Sequence, residues 1–418
     1  VTSNAHPSDR IRGGLFAFYA SVIAFAFLLR LGTAGAFDTI QGILTLLIFN
    51  SFVGSLCLGL FLSYLGLPRK NGELALVLVV GLLCEAGLAS YRLPLTDATL
   101  TVLMFGVGLG GCCLLFGMLP RFWSAPDADL RRRCLSPALI LMSYFVGHFT
   151  VGLVAQLSPL VYDLYAQGVE WQIGVPASFW LRSWFVLHPS VHQIFRIVYG
   201  SLALAMVVTQ LHFLARPARY AVDPTMSFVV LGTLGGILYF VCPIIGPAEF
   251  FSKVYPFQVP PWIEPAAVPF GSLAEPRNSM PSLHGAWALG CWWCTWSANR
   301  YLRISLGLFF LMTVPAALSE GHYLVDLLAS FPLTLSVHAL LIGLCHPSLR
   351  SRALASAGLA LIATVAIPLS LRWGFWPYAW PAALIWLLGL ALIVACCWQE
   401  ANLRDRALKL SGAIPGPS

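Results

Sequence analysis

The sequence predicts an all-α protein that threads a lipid bilayer about twelve times, and three observations carry that prediction. Of the 418 residues, 58% are hydrophobic and only 10% are charged. A soluble domain carries about 25% charged residues, so this chain cannot cover a surface that faces water. The apolar residues fall into blocks of roughly 17–25, the length a helix needs to cross the hydrocarbon core. The stretches between blocks alternate between rich and poor in Lys and Arg. Together these exclude a disordered chain, a nucleic-acid binder and a secreted disulfide scaffold.

The blocks run, in order, over 13–33, 40–65, 74–91 and 98–119, then 135–158, 193–215, 225–246, 281–298, 303–319 and 322–344, and last 354–371 and 379–398. Arg30, Glu85 and Arg196 lie inside blocks one, three and six; an ion at membrane depth costs about 2.5–3.5 kcal/mol on insertion scales and implies a partner or a cavity. His148 in block five reads as a core residue. Basic residues collect in cytoplasmic loops. With twelve spans, one side of the membrane holds 17 of them, from Arg10 and Arg12 to Arg404, Arg406 and Lys409, and the other holds 5, namely Arg92, Arg182, Lys253, Arg277 and Arg372. That split predicts cytoplasmic termini and assigns the net charge of +7 to orientation. No small-residue cleavage site follows the first long block, so no cleaved leader is expected. The eleven cysteines sit almost wholly inside blocks, which argues against an external disulfide framework; Cys291 and Cys294, among Trp292, Trp293 and Trp296, read as helix packing.

Two loops on the basic-poor side are long, 159–192 and 247–280. The first is rich in aromatics (Tyr162, Tyr165, Trp171, Phe179, Trp180, Trp184, Phe185) and suits the headgroup zone; the second is rich in proline. Asp163, Glu249 and Glu275 in these loops read as solvated charges.

The chemistry concentrates where those loops meet the bundle. Residues 277–284 read Arg-Asn-Ser-Met-Pro-Ser-Leu-His, and 319–326 read Ser-Glu-Gly-His-Tyr-Leu-Val-Asp. His284 and His322 are separated by two membrane crossings and a turn, which places both at one membrane face. His322 and Asp326 are four apart, neighbours on a helix. The carboxylate can therefore fix the imidazole tautomer and make the other ring nitrogen a better nucleophile or base. A second histidine across the site can protonate a leaving group. Pro281 is suited to a helix start, and the first-turn N–H groups beside Ser282 form an anion site. Arg277 and Lys253 are the cations available to a phosphate, and His188, His192 and Arg196 are candidate headgroup contacts on the same face. The set points to phosphoryl transfer at a membrane surface. Zinc ligation by His, His and Asp is the competing reading, and the anion-type helix start beside His284 favours phosphate over it.

At these residues the sequence resembles the type 2 phosphatidic acid phosphatase superfamily, the lipid phosphate phosphatases, whose second motif is P-S-G-H and whose third ends H-x-x-x-D. Pro281-Ser282-Leu283-His284 and His322-Tyr323-Leu324-Val325-Asp326 stand at those positions. Leu283 before the histidine, the G-H-Y-x-x-D form and the run Tyr239 to Pro247 more closely resemble the inositol phosphorylceramide synthase-like branch. The resemblance spans roughly 140–345. Two features depart from it: Lys253 has no Arg-Pro at the first motif's spacing, and Ala316 replaces the arginine six residues before His322. The resemblance implies a six-helix catalytic core over 134–346, with accessory helices over 1–133 and two further helices and a tail over 347–418. It also implies His322 as the nucleophile that forms a phosphohistidine, Asp326 as its orienting acid and His284 as the acid for the leaving alcohol, with no metal or cofactor. The reading is of an integral-membrane phosphotransferase that moves a phosphoryl-linked headgroup from a lipid donor to an acceptor hydroxyl on the non-cytoplasmic face. A lipid or polyprenyl phosphate phosphatase using water is the alternative, and a lipid transporter is the reading from another class.

Overall fold

A computed structural model describes residues 12, 14–24, 26, 51–68, 70–92, 106–124, 127–217, 220–271, 276–374 and 380–412. Arg30 and Glu275 lie outside the described residues. The chain forms two compact units, one of residues 1–146 with 200–217 and one of residues 147–199 with 218–418.

The helices are α1 (Ser51–Leu65), α2 (Glu73–Arg92), α3 (Val107–Cys112), α4 (Leu119–Ser124) and α5 (Ala128–Leu157), with a π-helical turn at Cys113–Met118. There follow α6 (Asp163–Gln172), α7 (Ala177–Leu187), α8 (Pro189–Gly200), α9 (Leu202–Ala215), α10 (Pro224–Leu238) and α11 (Pro247–Phe250). The last are α12 (Leu283–Cys294), α13 (Arg300–Glu320), α14 (Leu324–Cys345), α15 (Arg350–Arg372) and α16 (Ala382–Leu410). A two-residue ribbon, Leu160–Val161 antiparallel to Val268–Pro269, staples the two long loops together. The all-α class holds.

The count of about twelve spans does not. Among the described residues six helices are long and apolar enough to cross a membrane, or seven if the bent pair Pro189–Gly200 and Leu202–Ala215 is one span. The physical reason is that apolar composition does not set helix length. The block 225–246 yields only the 15 residues of α10, because Pro243 and the Gly246-Pro247 step stop the helix. The block 281–298 yields the 12 residues of α12. At about 1.5 Å per residue these reach roughly 23 and 18 Å, short of the ~30 Å hydrocarbon core. Block six breaks at Gly200-Ser201, blocks one and two are described only as Gly14–Ala24 and Ser51–Leu65, and block four resolves into short helices flanking the π-turn. The remaining six blocks are full-length helices, which is what a membrane protein needs.

In the first unit, Arg121 grips Glu73 with Nη1 and Nη2, each at 2.6 Å, and Tyr64 Oη donates to the same carboxylate at 2.9 Å. Glu85 is buried and accepts the Gly108 N–H at 2.8 Å.

In the second unit α14 is the central helix. It packs against α12, α15 and α16, and α13 packs on α12 and α7. A buried cluster of Tyr162, Val169, Cys242, Ile244, Met280, Tyr323, Val325, Ile367 and Leu371 joins α6, the 242–244 turn, the approach to α12, and α14 with α15. His148 on α5 is exposed, contrary to the core position expected of it. All eleven cysteines are free. Cys294 Sγ lies 3.6 Å from His338 Nε2, and Trp293 meets the same imidazole edge-on.

Candidate active site

Two helix junctions bring the histidines together. Ser282 is the N-cap of α12, its Oγ accepting the Gly285 N–H at 3.3 Å, so His284 lies in the first turn. Pro281 stands one residue before the cap rather than inside the helix. At the other junction α13 ends on Gly321, whose φ of 128° only glycine adopts readily. The chain reverses there, the His322 N–H bonds back to Ala317 O at 3.1 Å, and α14 starts at Leu324. The imidazole centroids of His284 and His322 are 6.3 Å apart. His284 stacks on Tyr199 at 3.9 Å and 11°.

His322 thus precedes α14, and the helical His–Asp pairing expected from the four-residue spacing is replaced by another arrangement. Asp326 Oδ2 accepts the Tyr323 N–H at 2.8 Å, as an acid in a helix's first turn does, and lies 3.5 Å from His322 Nδ1. Ser279 completes the connection. Its Oγ donates to Asp326 Oδ2 at 2.7 Å and stands 3.2 Å from Nδ1, while its carbonyl oxygen is 3.0 Å from Nδ1. A carbonyl only accepts, so Nδ1 carries the hydrogen and Nε2 carries the lone pair. Nε2 faces Ser282 Oγ at 3.4 Å, on the His284 side of the ring.

The flanking turn is held by two buried acids, Asp163, which the sequence reading left in solvent, and Glu170, which it did not single out. Asp163 is fully buried and accepts from Gly246 N at 2.8 Å, Ile245 N at 3.1 Å and Tyr323 Oη at 3.3 Å. Glu170, also fully buried, accepts from Leu324 N at 2.9 Å, the first residue of α14. The two acids are seven apart, two helical turns, so they share one face of α6 with Ala166 between them. That spacing was the available signal for burial. Loss of hydration raises both carboxyls, Asp163 to about 7 and Glu170 to about 8, against backbone hydrogen bonds that pull them down. A carboxyl raised on folding stabilises fully below its unfolded value near 4.5 and loses that contribution as pH rises through about 8. The thermal midpoint of the purified protein is therefore expected to fall between those limits, and Glu170→Gln is expected to flatten the fall; a slope unchanged in that variant would show that Glu170 does not carry it.

The other expected site residues fall in different places. Arg277 is buried; Nη1 donates to Ala155 O and Nη2 to Phe270 O at 2.9 Å, while Nε has no hydrogen-bond partner among the described residues. Lys253 is exposed in the turn after α11. His188 is exposed and stacks on Trp184 at 4.4 Å. His192 is half-buried, with Nε2 3.0 Å from Glu320 Oε1 and 2.5 Å from Arg182 Nη1. Arg196 is half-buried on α8, between His192 and Tyr199 in register. Ser279, Glu320, Arg182 and Tyr199 join the site through contacts that no spacing rule foretells. Among the described residues no group of three or more His, Cys, Asp or Glu side chains is placed to hold a metal ion.

A family model, the PAP2 superfamily, matches residues 167–340, so a partial domain of that superfamily is present from α6 to α14. The match reaches the superfamily and does not single out the inositol phosphorylceramide synthase-like branch. No curated protein and no solved structure matches the chain. The domain and the clustered His and Asp side chains fit the metal-independent phosphatase or transferase chemistry of that superfamily.

Proposed function

We propose that the chain is an integral-membrane phosphohydrolase that releases phosphate from a membrane-borne lipid or polyprenyl phosphate ester, with water as the final acceptor. One observation carries the reading: the Ser279 carbonyl, 3.0 Å from Nδ1, leaves the His322 Nε2 lone pair on the side of the second imidazole. Burial, with His322 nearby, lowers His284 to about 3 in the free protein, so it takes up its proton when the phosphate anion binds. Nε2 then attacks phosphorus, the bond from phosphorus to the ester oxygen breaks, and His284 gives that proton to the departing alkoxide. Neutral His284 then takes a proton from water, the hydroxide attacks the phosphohistidine, and phosphate leaves with His322 restored. Asp326 and Ser279 hold the ring and stabilise the charge it gains. The side of the membrane follows from charge: Arg300 and Arg303 open α13, and Arg350 and Arg352 open α15, each at the end away from Glu320 and His322. By the preference of basic residues for the cytoplasm, the histidines face the other side.

A transferase passing the same phosphoryl group to an alcohol differs only in the acceptor, so the acceptor decides. Purified protein in detergent is given a lipid phosphate labelled at phosphorus, with and without added alcohols, and with EDTA. Phosphate release that needs no alcohol and is indifferent to EDTA is the expected result. Turnover that appears only when an alcohol is added would replace the hydrolase with a transferase, and no turnover in either case would remove both.

A further inference from the structure

A phosphate ester beside two imidazoles needs cationic donors, and of the two expected cations Arg277 is buried with Nη1 and Nη2 on carbonyls while Lys253 is exposed. The rim of the site carries a guanidinium that no motif marks. Arg182, on α7, reaches the C-terminal end of α13, where Nη1 is 3.0 Å from Glu320 Oε1. Glu320 stands two residues before His322. Its other neighbour, His192, stands two helical turns before Tyr199, the residue stacked on His284. The cluster is therefore joined to the histidine pair by two short paths along the chain, through the α13–α14 turn and along α8. Arg182 is also under-used. Its hydrogen bonds all run through Nη1, while Nε and Nη2 donate to nothing among the described residues, and the side chain is 28% exposed. Nε–H and Nη2–H form the planar edge that takes two oxygens of a phosphate at once.

We propose that Arg182 is the residue that takes the substrate's phosphoryl oxygens, and that Glu320 is its resident counter-ion, a carboxylate that holds the guanidinium at the rim and competes with the incoming anion for it. This rests on the phosphate-ester reading above. A carboxylate and a phosphate offer a guanidinium the same two-oxygen edge, so the ion pair that orders Arg182 in the free protein also opposes binding. Removing the two partners should then act in opposite directions.

The experiment uses the full chain in detergent, with inorganic phosphate as the probe in calorimetry and the lipid phosphate in kinetics. Arg182→Gln is expected to raise the phosphate Kd and the substrate KM by about tenfold or more, since a charge-assisted hydrogen bond is lost. Arg182→Lys, which keeps the charge and loses the fork, falls between. Glu320→Gln is expected to lower both constants severalfold, and to change neither once Arg182 is already Gln. A pair that only braces α7 against α13 predicts instead that both single variants weaken binding and lower Tm alike, which would overturn the proposal. Wild-type protein that binds phosphate no better than Arg182→Gln overturns this assignment alone. Wild-type protein that neither binds phosphate nor turns over the ester overturns the assignment and the reading beneath it.

Discussion

Replacing His322 by asparagine is expected to lower kcat by at least about 10³-fold while leaving the protein folded and phosphate-binding. The asparagine amide can still donate to the Ser279 carbonyl, which takes the Nδ1 hydrogen at 3.0 Å, but nothing replaces Nε2. The variant separates a chemical role from a packing role because the side chain is almost fully buried and its loss could otherwise be felt as a cavity. Single-turnover assays with labelled lipid phosphate check it: wild-type protein quenched during turnover carries label on the chain and the variant carries none. An asparagine variant with wild-type turnover would remove His322 as the nucleophile.

The second large effect concerns a residue with no side chain. Gly246 has φ 109° and ψ 159°, a region that residues with a Cβ scarcely enter. A Cβ built there would overlap the carbonyl oxygen of Gly321, which lies 3.1 Å from Ser279 Oγ and belongs to the residue before His322. Gly246 N is also one of the donors to buried Asp163. Gly246→Ala is expected to cost about 2–4 kcal/mol and to abolish most activity, because the displaced carbonyl carries the His322 turn with it. Gly358 on α15 has open space around its Cβ position, so Gly358→Ala is expected to be neutral or to gain up to about 1 kcal/mol. Thermal melts of the two variants beside the wild type give the comparison, and equal Tm values would refute the close approach of Gly246 to Gly321.

These effects mark where the sequence was informative and where it was not. The long apolar runs at 74–91, 303–319, 322–344 and 354–371 resolve into α2, α13, α14 and α15, since nothing inside them stops a helix except Pro315, Pro332 and Pro368, which the bundle tolerates. The runs at 225–246 and 281–298 looked the same by composition and ended early, because Pro243, Gly246 and the polar Thr295–Asn299 stretch act on backbone geometry rather than on hydropathy. The histidine pair was legible because two helices and a turn leave little freedom in where their ends meet. Its supports were not. Ser279 acts partly through a main-chain oxygen, which leaves no trace in residue type. Asp163 and Glu170 cap main-chain donors 82 and 154 residues away, and only the fold sets such distances. Arg277, the nearest cation in sequence, was drawn off by carbonyls.

The hydrogen on the His322 ring is fixed by the course of the chain past position 279 and not by what that position carries. Genetic drift at Ser279 can erase the hydroxyl bridge to Asp326 and still pass on the ring's orientation, so descendants of this protein would inherit the aim of the imidazole even after losing its polar relay.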